Sequence, residues 1–330
     1  MIIHTQAHAR AGLLGNPSDG FYGKTIAFIV KNFAARVTLY ESPELEILPS
    51  ADDRHCFKSL ADLVHQVDLH GYYGGVRLVK AAVRKFAEFF AQRHLTLPRR
   101  NFTIRYRSTI PRLVGLGGSS AIVTATMRAL MRFYDLELPP TVLPSLALRA
   151  ETEELRIPAG LQDRVVQTYE GIVYMDFAHK LLERQGHGHY EPLPKRLLPA
   201  VFVAYRAELA EGSEVAHRSL RVRFDSGERA VVNAMKRFAR FAEQGRRALL
   251  DGDEGKLAEL IDANFDLRRR ICTLNPRQAE MVEVARRLGA PCKFAGSGGA
   301  VVGLCKSDAQ FRKLRDAYRK VGCKIIKPRL

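Results

Sequence analysis

A glycine-rich segment in the middle of the chain has the residue types and spacing best suited to binding phosphate. It reads PRLVGLGGSSA and lies between a predicted strand and a predicted helix. Glycines let the backbone bend until several N–H groups point at one spot, and the N-terminal end of the helix adds positive potential. The residues predicted to form this phosphate loop are Pro111, Gly115, Leu116, Gly117, Gly118, Ser119, Ser120 and Ala121.

The phosphate loop does not have the GxxxxGK[ST] pattern, so glycine content alone does not make it specific. The alternative is an ordinary glycine-rich turn in which Ser119 or Ser120 caps the helix. The strand before the loop and the helix after it favour phosphate binding over a simple turn.

A polar turn near the start of the chain carries one acid between two bases. It follows a short predicted strand, and it places Asp19 between Arg10 and Lys24. Asn-Pro and Asp-Gly pairs form turns readily, so a surface turn is the alternative to a binding loop.

A second glycine cluster lies near the end of the chain, at residues 294–300, which read FAGSGGA. It connects two short apolar strands, and a hairpin turn would suit the Ser-Gly-Gly sequence. The functional interpretation is that Gly296, Ser297 and Gly298 pack against the phosphate loop and a bound ligand.

Composition sets limits on the class of protein. The chain has 330 residues, of which 46% are hydrophobic and 26% charged, so it is a globular protein of about two domains. No apolar run reaches the ~18 residues of a membrane span, and no leader-like segment begins the sequence. The five cysteines form no CxxC pair, so we expect reduced thiols in a cytoplasmic protein, with no membrane association.

The net charge of +17 predicts an anionic partner. Nucleic acid and a small polyanionic substrate are both compatible with it. Basic helices between Arg221 and Arg287 favour nucleic acid, but no RNP, KH or helix-turn-helix signature accompanies them. We therefore expect no specific nucleic-acid partner.

Strands and helices are mixed without a strict βαβα order, which favours an α+β fold over a doubly wound sheet. Apolar residues at helical spacing, from Val79 to Phe90, predict a helix, and others follow from Ser119 and over 141–155. Glycines and prolines, which interrupt helices and strands, concentrate between Ala178 and Pro199. We interpret this segment as the connection between a domain at 1–185 and one at 186–330.

Taken together, the three glycine segments resemble the layout of the GHMP kinases: a GxxGxxxD loop, a PxxxGLGGSSA loop and a GSGGA loop, in that order. The resemblance covers nearly the whole chain and is closest to the glucuronokinase branch. The segments that carry it are GNPSD at 15–19, GYYGGVRL at 71–78, GSSAIV at 118–123, GLQDR at 160–164, MDF at 175–177, NFDLRRR at 264–270 and MVEVARR at 281–287.

The resemblance implies roles for particular residues. Asp163 is identified as the catalytic aspartate, with Arg10 as the base beside it. Ser119 and Glu151 are the implied Mg²⁺ ligands, and Asp19 is the acid that contacts the acceptor. From the residues alone, Asp163 could instead be a helix N-cap, and Arg10 could be a surface residue on a strand edge.

This sequence departs from the common family pattern at two places. Gly118 stands where many relatives have serine, which leaves the part played by Ser120 open. Asn16-Pro17 replaces a common Glu-His pair, as in glucuronokinases.

The implied function is ATP- and Mg²⁺-dependent phosphorylation of the anomeric hydroxyl of D-glucuronate. Another sugar or a small alcohol is the alternative acceptor, and a basic nucleic-acid-binding protein is the alternative of another class. A sugar acid needs a cation for its carboxylate, and arginine suits this by its planar fork. The candidates are Lys24, Arg164 and one of Arg268, Arg269 and Arg270. The implied fold has an N-terminal half like the second domain of ribosomal protein S5 and a ferredoxin-like C-terminal half.

Overall fold

The structure, a computed structural model, describes residues 1–50, 53, 59–60, 74–206 and 213–330. Residues 71–73 of the predicted motif at 71–78 lie outside this set. Within the described ranges, every helix is too short or too polar to cross a bilayer.

The first half is built on a sheet whose central member is an 18-residue strand, β2 (Lys24–Glu41). This strand pairs with three others, and the sheet order is β3-β4-β2-β5-β6 with β1 also paired to β2. All pairs are antiparallel except β3 with β4. The other strands are β1 (Ile2–Leu14), β3 (Glu46–Leu48), β4 (Phe102–Ser108), β5 (Ile172–Asp176) and β6 (His189–Leu193).

Helices cover this sheet with the apolar faces that the sequence predicted. Phe86 and Phe90 of α1 are buried, as are Ile122 and Phe133 of α2. Burial of such side chains is the main force holding the layers together. The helices are α1 (Gly75–Ala91), α2 (Gly118–Phe133), α3 (Leu143–Arg149), α4 (Gln162–Tyr169) and α5 (His179–Gln185), and a π-helical turn (Ala150–Glu154) continues α3.

The second half has a four-stranded antiparallel sheet in the order β10-β7-β9-β8. Numbered within this half, the order is 4-1-3-2, which is the ferredoxin-like arrangement. Its strands are β7 (Val201–Tyr205), β8 (Cys292–Phe294), β9 (Ala300–Leu304) and β10 (Lys324–Ile326). Its helices are α6 (Ser213–Asp225), α7 (Arg229–Asp251), α8 (Glu254–Ile271), α9 (Pro276–Arg287) and α10 (Asp308–Lys320).

The breaker-rich segment 178–199 differs from the expectation of a plain connection, because it contains α5 and β6. Gly186 ends α5 in the left-handed conformation, with φ of 75°. Strand β6 lies at the edge of the sheet, where Pro192 removes no needed hydrogen bond. The first sheet thus continues to Leu193, eight residues beyond the predicted boundary at 185, and that boundary stays a prediction.

Helix α7 joins the two halves by lying on the first sheet. Gly245 makes this close approach possible, since a Cβ there would lie 2.2 Å from Leu14 Cδ1. Leu14, Ile26 and Ala242 are all fully buried at this contact.

A buried lysine fixes the π-helical turn against α1. Lys85 Nζ lies 2.6 Å from Glu88, 2.8 Å from Glu153 and 3.0 Å from Glu154. Its side chain is 6% exposed. Hydrogen bonds with Glu153 and Glu88 raise the pKa of Lys85 above its usual value. Glu153 and Glu154 are therefore tied to this cluster, with side chains that are 45% and 12% exposed.

Lys85→Met is expected to destabilise the fold by about 3 kcal/mol, because it leaves carboxylates in the cluster without their cation. The free energy of unfolding in urea measures this. Arg84→Met is the matched control: Arg84 also pairs with Glu154, but its side chain is 74% exposed. Its loss should cost under about 1 kcal/mol. Equal effects of the two substitutions would contradict the assigned role of Lys85.

Candidate active site

A bidentate ion pair between Arg10 and Asp163 lies at the centre of the site. Arg10 Nε donates to Asp163 Oδ1 at 2.5 Å, and Nη2 donates to Oδ2 at 2.6 Å. Burial by itself would raise the pKa of Asp163, but the charge and hydrogen bonds of Arg10 outweigh it and the pKa lies below its usual value. Asp163 is therefore ionised at neutral pH. Neither alternative interpretation holds: Arg10 is buried in β1, and the side chain of Asp163 caps no helix.

Arg10 also brings the glycine segments together. Its Nη1 donates to Gly115 O at 2.5 Å and to Ala295 O at 3.3 Å. The backbone adds two bonds, from Arg10 N to Leu116 O at 3.0 Å and from Gly12 N to Ala295 O at 2.8 Å. Three segments far apart in sequence thus meet around one guanidinium.

The phosphate loop ends at the start of α2, with left-handed glycines at both bends. Gly115 has φ of 74° and Gly117 has φ of 73°. A Cβ on Gly117 would lie 3.0 Å from Gln167 Nε2 and 3.1 Å from Arg10 Cγ. Neither serine caps the helix, since Gly117 holds the N-cap position and Ser120 Oγ donates to Gly117 O at 3.0 Å. Because no side chain caps this 16-residue helix, its N-terminal N–H groups suit an anion.

The predicted members of the loop differ in exposure. Leu116, Ser120 and Ala121 are buried, whereas Ser119 is partly exposed. The other partly exposed members of the loop are Pro111, Gly115 and Gly118.

Asp19 lies close enough to Asp163 for the two carboxylates to interact electrostatically. It sits in a one-turn 3-10 helix (Ser18–Phe21) and packs so closely on Gly160 that a Cβ there would lie 2.0 Å from Asp19 Oδ2. Burial and the charge of Asp163 raise the pKa of Asp19 to about 6, against the opposing charge of Arg10. Two neighbouring aspartates thus differ in their affinity for a proton.

The C-terminal glycine cluster packs directly on the phosphate loop, as expected. A Cβ on Gly296 would lie 2.1 Å from Gly115 O, and a Cβ on Gly115 would lie 2.8 Å from Ser297 N. Gly298 has φ of 155° and abuts Gln278. The contact of Gly296, Ser297 and Gly298 with an acceptor remains a prediction.

The predicted cations of the site are engaged with the protein itself. Arg164 is 2% exposed; its guanidinium pairs with Glu151 and donates to Gly160 O at 2.8 Å. Arg268 donates to Gly296 O and to Ser297 O, both at 2.7 Å. Lys24 lies 3.4 Å from both Asp176 and Glu243. Each therefore has a structural task that the sequence did not reveal.

Glu151 offers one carboxylate oxygen to a metal ion. It is fully buried, Arg164 occupies Oε2, and Oε1 has no hydrogen-bond partner. Mg²⁺ is commonly held by one or two carboxylates together with substrate phosphates, so an unpaired oxygen fits. In the described part of the chain, no three His, Cys, Asp or Glu side chains cluster as metal ligands.

The sequence did not predict roles for Lys293 and Asn264. From the second half, they hold the loop at residues 15–23, which carries Asp19 and is called the acceptor loop below. Lys293 is 1% exposed and donates to Gly12 O at 2.8 Å, Asn16 Oδ1 at 2.6 Å and Phe294 O at 2.8 Å. Asn264 accepts from Gly15 N at 2.8 Å and donates to Asn16 O at 3.1 Å. A lysine in an otherwise apolar strand was the available signal for Lys293.

Comparisons with known proteins show the family of the chain. The domain described as GHMP kinases N terminal domain matches residues 77–171, and GHMP kinases C terminal matches residues 246–322. The chain is 43% identical over 327 residues to glucuronokinase 1 of Arabidopsis thaliana, covering 97% of this chain and 90% of that protein. It is 42% identical to probable glucuronokinase 2 of the same plant, with 99% and 91% covered.

A solved structure shares the fold. The galactokinase of Lactococcus lactis, complexed with galactose, superposes with a TM-score of 0.77 at 13% identity, covering all of this chain and 93% of that one. The chain belongs to the GHMP kinase family. It is accordingly an ATP-using phosphotransferase with an alcohol group as acceptor, and the predicted two-domain α+β fold is confirmed.

Gly117→Val is expected to weaken ATP binding at least about tenfold. A left-handed φ disfavours valine by roughly 1–2 kcal/mol, and its side chain would displace Gln167 or Arg10. Titration calorimetry with ATP measures the change. Gly227→Val is the matched control, since Gly227 has φ of 75° with open space around it. An unchanged Kd in Gly117→Val would place the phosphate site elsewhere.

Proposed function

We propose that this enzyme transfers the γ-phosphoryl group of Mg·ATP to the anomeric hydroxyl of D-glucuronate, giving glucuronate 1-phosphate. The observation that supports it most is the Arg10–Asp163 ion pair, which stands between the phosphate loop and Asp19. The acceptor is inferred from the similarity to the two plant glucuronokinases over nearly the full chain.

Asp163 would align the acceptor hydroxyl and accept its proton. Phosphoryl transfer asks little covalent chemistry of a protein and depends on positioning and charge stabilisation. Arg10 fixes both carboxylate oxygens and keeps Asp163 ionised, so each oxygen retains a lone pair for the hydroxyl. The same guanidinium places positive charge near the transferred group.

Asp19 would accept hydrogen bonds from other sugar hydroxyls. Its position against Gly160, three residues before Asp163, brings acceptor binding and catalysis to one place. The helix start at Gly117 and the loop backbone would hold the triphosphate. Ser119 and Glu151 Oε1 would hold Mg²⁺, which when bound neutralises charge on the phosphates.

An acceptor panel tests the proposal. ADP release is measured with Mg·ATP and glucuronate, galacturonate, glucose, galactose, mevalonate or homoserine. We expect turnover on glucuronate to exceed that on every other acceptor. Faster turnover on another sugar or alcohol would replace glucuronate as the acceptor but keep the kinase chemistry.

Asp163→Asn in the same assay is expected to lower kcat at least about 100-fold with little change in ATP affinity, since it removes the proton acceptor but no phosphate contact. Full activity in this variant would remove Asp163 from the mechanism.

The pH dependence of kcat/KM should follow the ionisation of Asp19. Its pKa of about 6 means that it is ionised above pH 6 and protonated below, when it accepts fewer hydrogen bonds from the sugar. We therefore expect kcat/KM for glucuronate to fall as pH decreases through about 6, while Asp163, with its lowered pKa, stays ionised. The Asp19→Asn variant should have a low kcat/KM at every pH, without the acidic limb, which is the fall of kcat/KM below about pH 6. Persistence of the limb in Asp19→Asn would assign the titration to another group.

A further inference from the structure

The proposed acceptor carries a carboxylate that needs a cationic partner, and this inference rests on that proposed function. The carboxylate sits on a different ring carbon from the reacting hydroxyl. Its partner must therefore lie near the acceptor loop without occupying the place of the transferred phosphoryl group. An arginine with a free or exchangeable fork is the best-suited side chain.

Three arginines of the site are committed to partners within the protein. Arg10 holds Asp163, Arg164 holds Glu151, and Arg268 holds the backbone of the C-terminal glycine cluster. Withdrawing any of these cations would leave a buried carboxylate or carbonyl unpaired, which costs more than one new ion pair returns. Lys24 is already shared between Asp176 and Glu243.

Arg221 is differently placed, at the outer edge of the acceptor loop. It lies on α6, which packs on that loop through Phe224, whose ring centroid is 5.0 Å from that of Phe21. Leu220, the residue before it, is 3% exposed in the same apolar cluster. This anchoring fixes the start of the Arg221 side chain relative to the loop.

The guanidinium of Arg221 reaches the residue that follows Asp19. Its Nη1 donates to Gly20 O at 3.3 Å, and its Nε donates to Asp225 Oδ2 at 2.8 Å. The Tyr22 hydroxyl also faces it. Arg221 and Asp225 are 48% and 52% exposed, and an exposed pair four residues apart on a helix is weak. The fork can therefore exchange Asp225 for a ligand carboxylate at little cost.

We propose that Arg221 binds the carboxylate of the acceptor and so selects a uronic acid over a neutral sugar. The carboxylate would meet the fork beside Gly20, while the sugar hydroxyls meet Asp19 one residue earlier. Arg221 thus determines specificity from the second half of the chain, and Asp163 performs the chemistry from the first.

The test compares Arg221→Gln with the full-length wild-type enzyme on D-glucuronate and on its neutral amide, D-glucuronamide. The variant should raise KM for glucuronate about 10- to 100-fold, because a charge-assisted contact is lost, with kcat changed less than about threefold. For glucuronamide, kcat/KM should be the same in both enzymes. Arg221→Lys should recover part of the loss.

Arg315→Gln is the matched control, since Arg315 is a 50% exposed arginine on α10 that pairs weakly with Asp316. Its KM for glucuronate should equal the wild-type value. An unchanged KM in Arg221→Gln, or an equal loss on glucuronate and glucuronamide, would overturn the assignment while leaving glucuronate as the acceptor. No wild-type turnover on glucuronate would overturn both the acceptor and the assignment.

Discussion

The site depends on a single buried guanidinium. Arg10 uses one edge to hold both oxygens of Asp163 and the remaining nitrogen to hold the carbonyls of Gly115 and Ala295. It thereby sets the distance between the proposed catalytic carboxylate and the phosphate loop. A lysine could not replace it, because an ammonium group lacks the planar fork that meets two carboxylate oxygens at once.

A buried lysine of the second half binds neutral oxygens of the first half. Lys293 donates to Gly12 O and to Asn16 Oδ1, while Arg268 donates to the carbonyls of Gly296 and Ser297 within the second half. Burial lowers the pKa of both side chains, and the mutual repulsion of these cations adds to this for Lys293. Several good hydrogen bonds apiece offset part of the cost of burying these side chains. The acceptor loop is therefore built by both halves, and neither half alone contains a complete site.

Much of this arrangement could be predicted from the sequence, since glycine spacing reflects local backbone demands. The phosphate loop and the packing of Gly296 on it were predicted because φ near 74° and close backbone approach leave little choice but glycine. What could not be predicted is which charges pair. Arg164 and Lys24 were interpreted as substrate cations, yet they hold Glu151, Asp176 and Glu243.

Long-range pairing has no local signature, and this explains the residues that were missed. Lys293 reaches Asn16 across 277 positions of sequence, and Asn264 reaches Gly15 across 249. A buried lysine in a three-residue apolar strand shows that a polar partner must exist, but not where it is. The prolines and glycines of residues 178–199 indicated a plain connection, but the segment contains a strand. Proline is also acceptable in an edge strand such as β6.

The two aspartates show how one arginine can act differently on two neighbouring residues of the same type. Asp163 receives the fork of Arg10, and its pKa falls below the usual value despite burial. Burial and the negative charge of Asp163 raise the pKa of Asp19 to about 6, against the charge of Arg10 and backbone hydrogen bonds. Opposite pKa shifts in neighbouring acids distinguish Asp163, which is ionised at neutral pH, from Asp19, which titrates at about pH 6. Because Asp163 creates part of the shift in Asp19, a hydroxyl that shields the charge of Asp163 would also ease the ionisation of Asp19. A hydrogen bond from an acceptor to Asp163 would thus lower the pKa of Asp19.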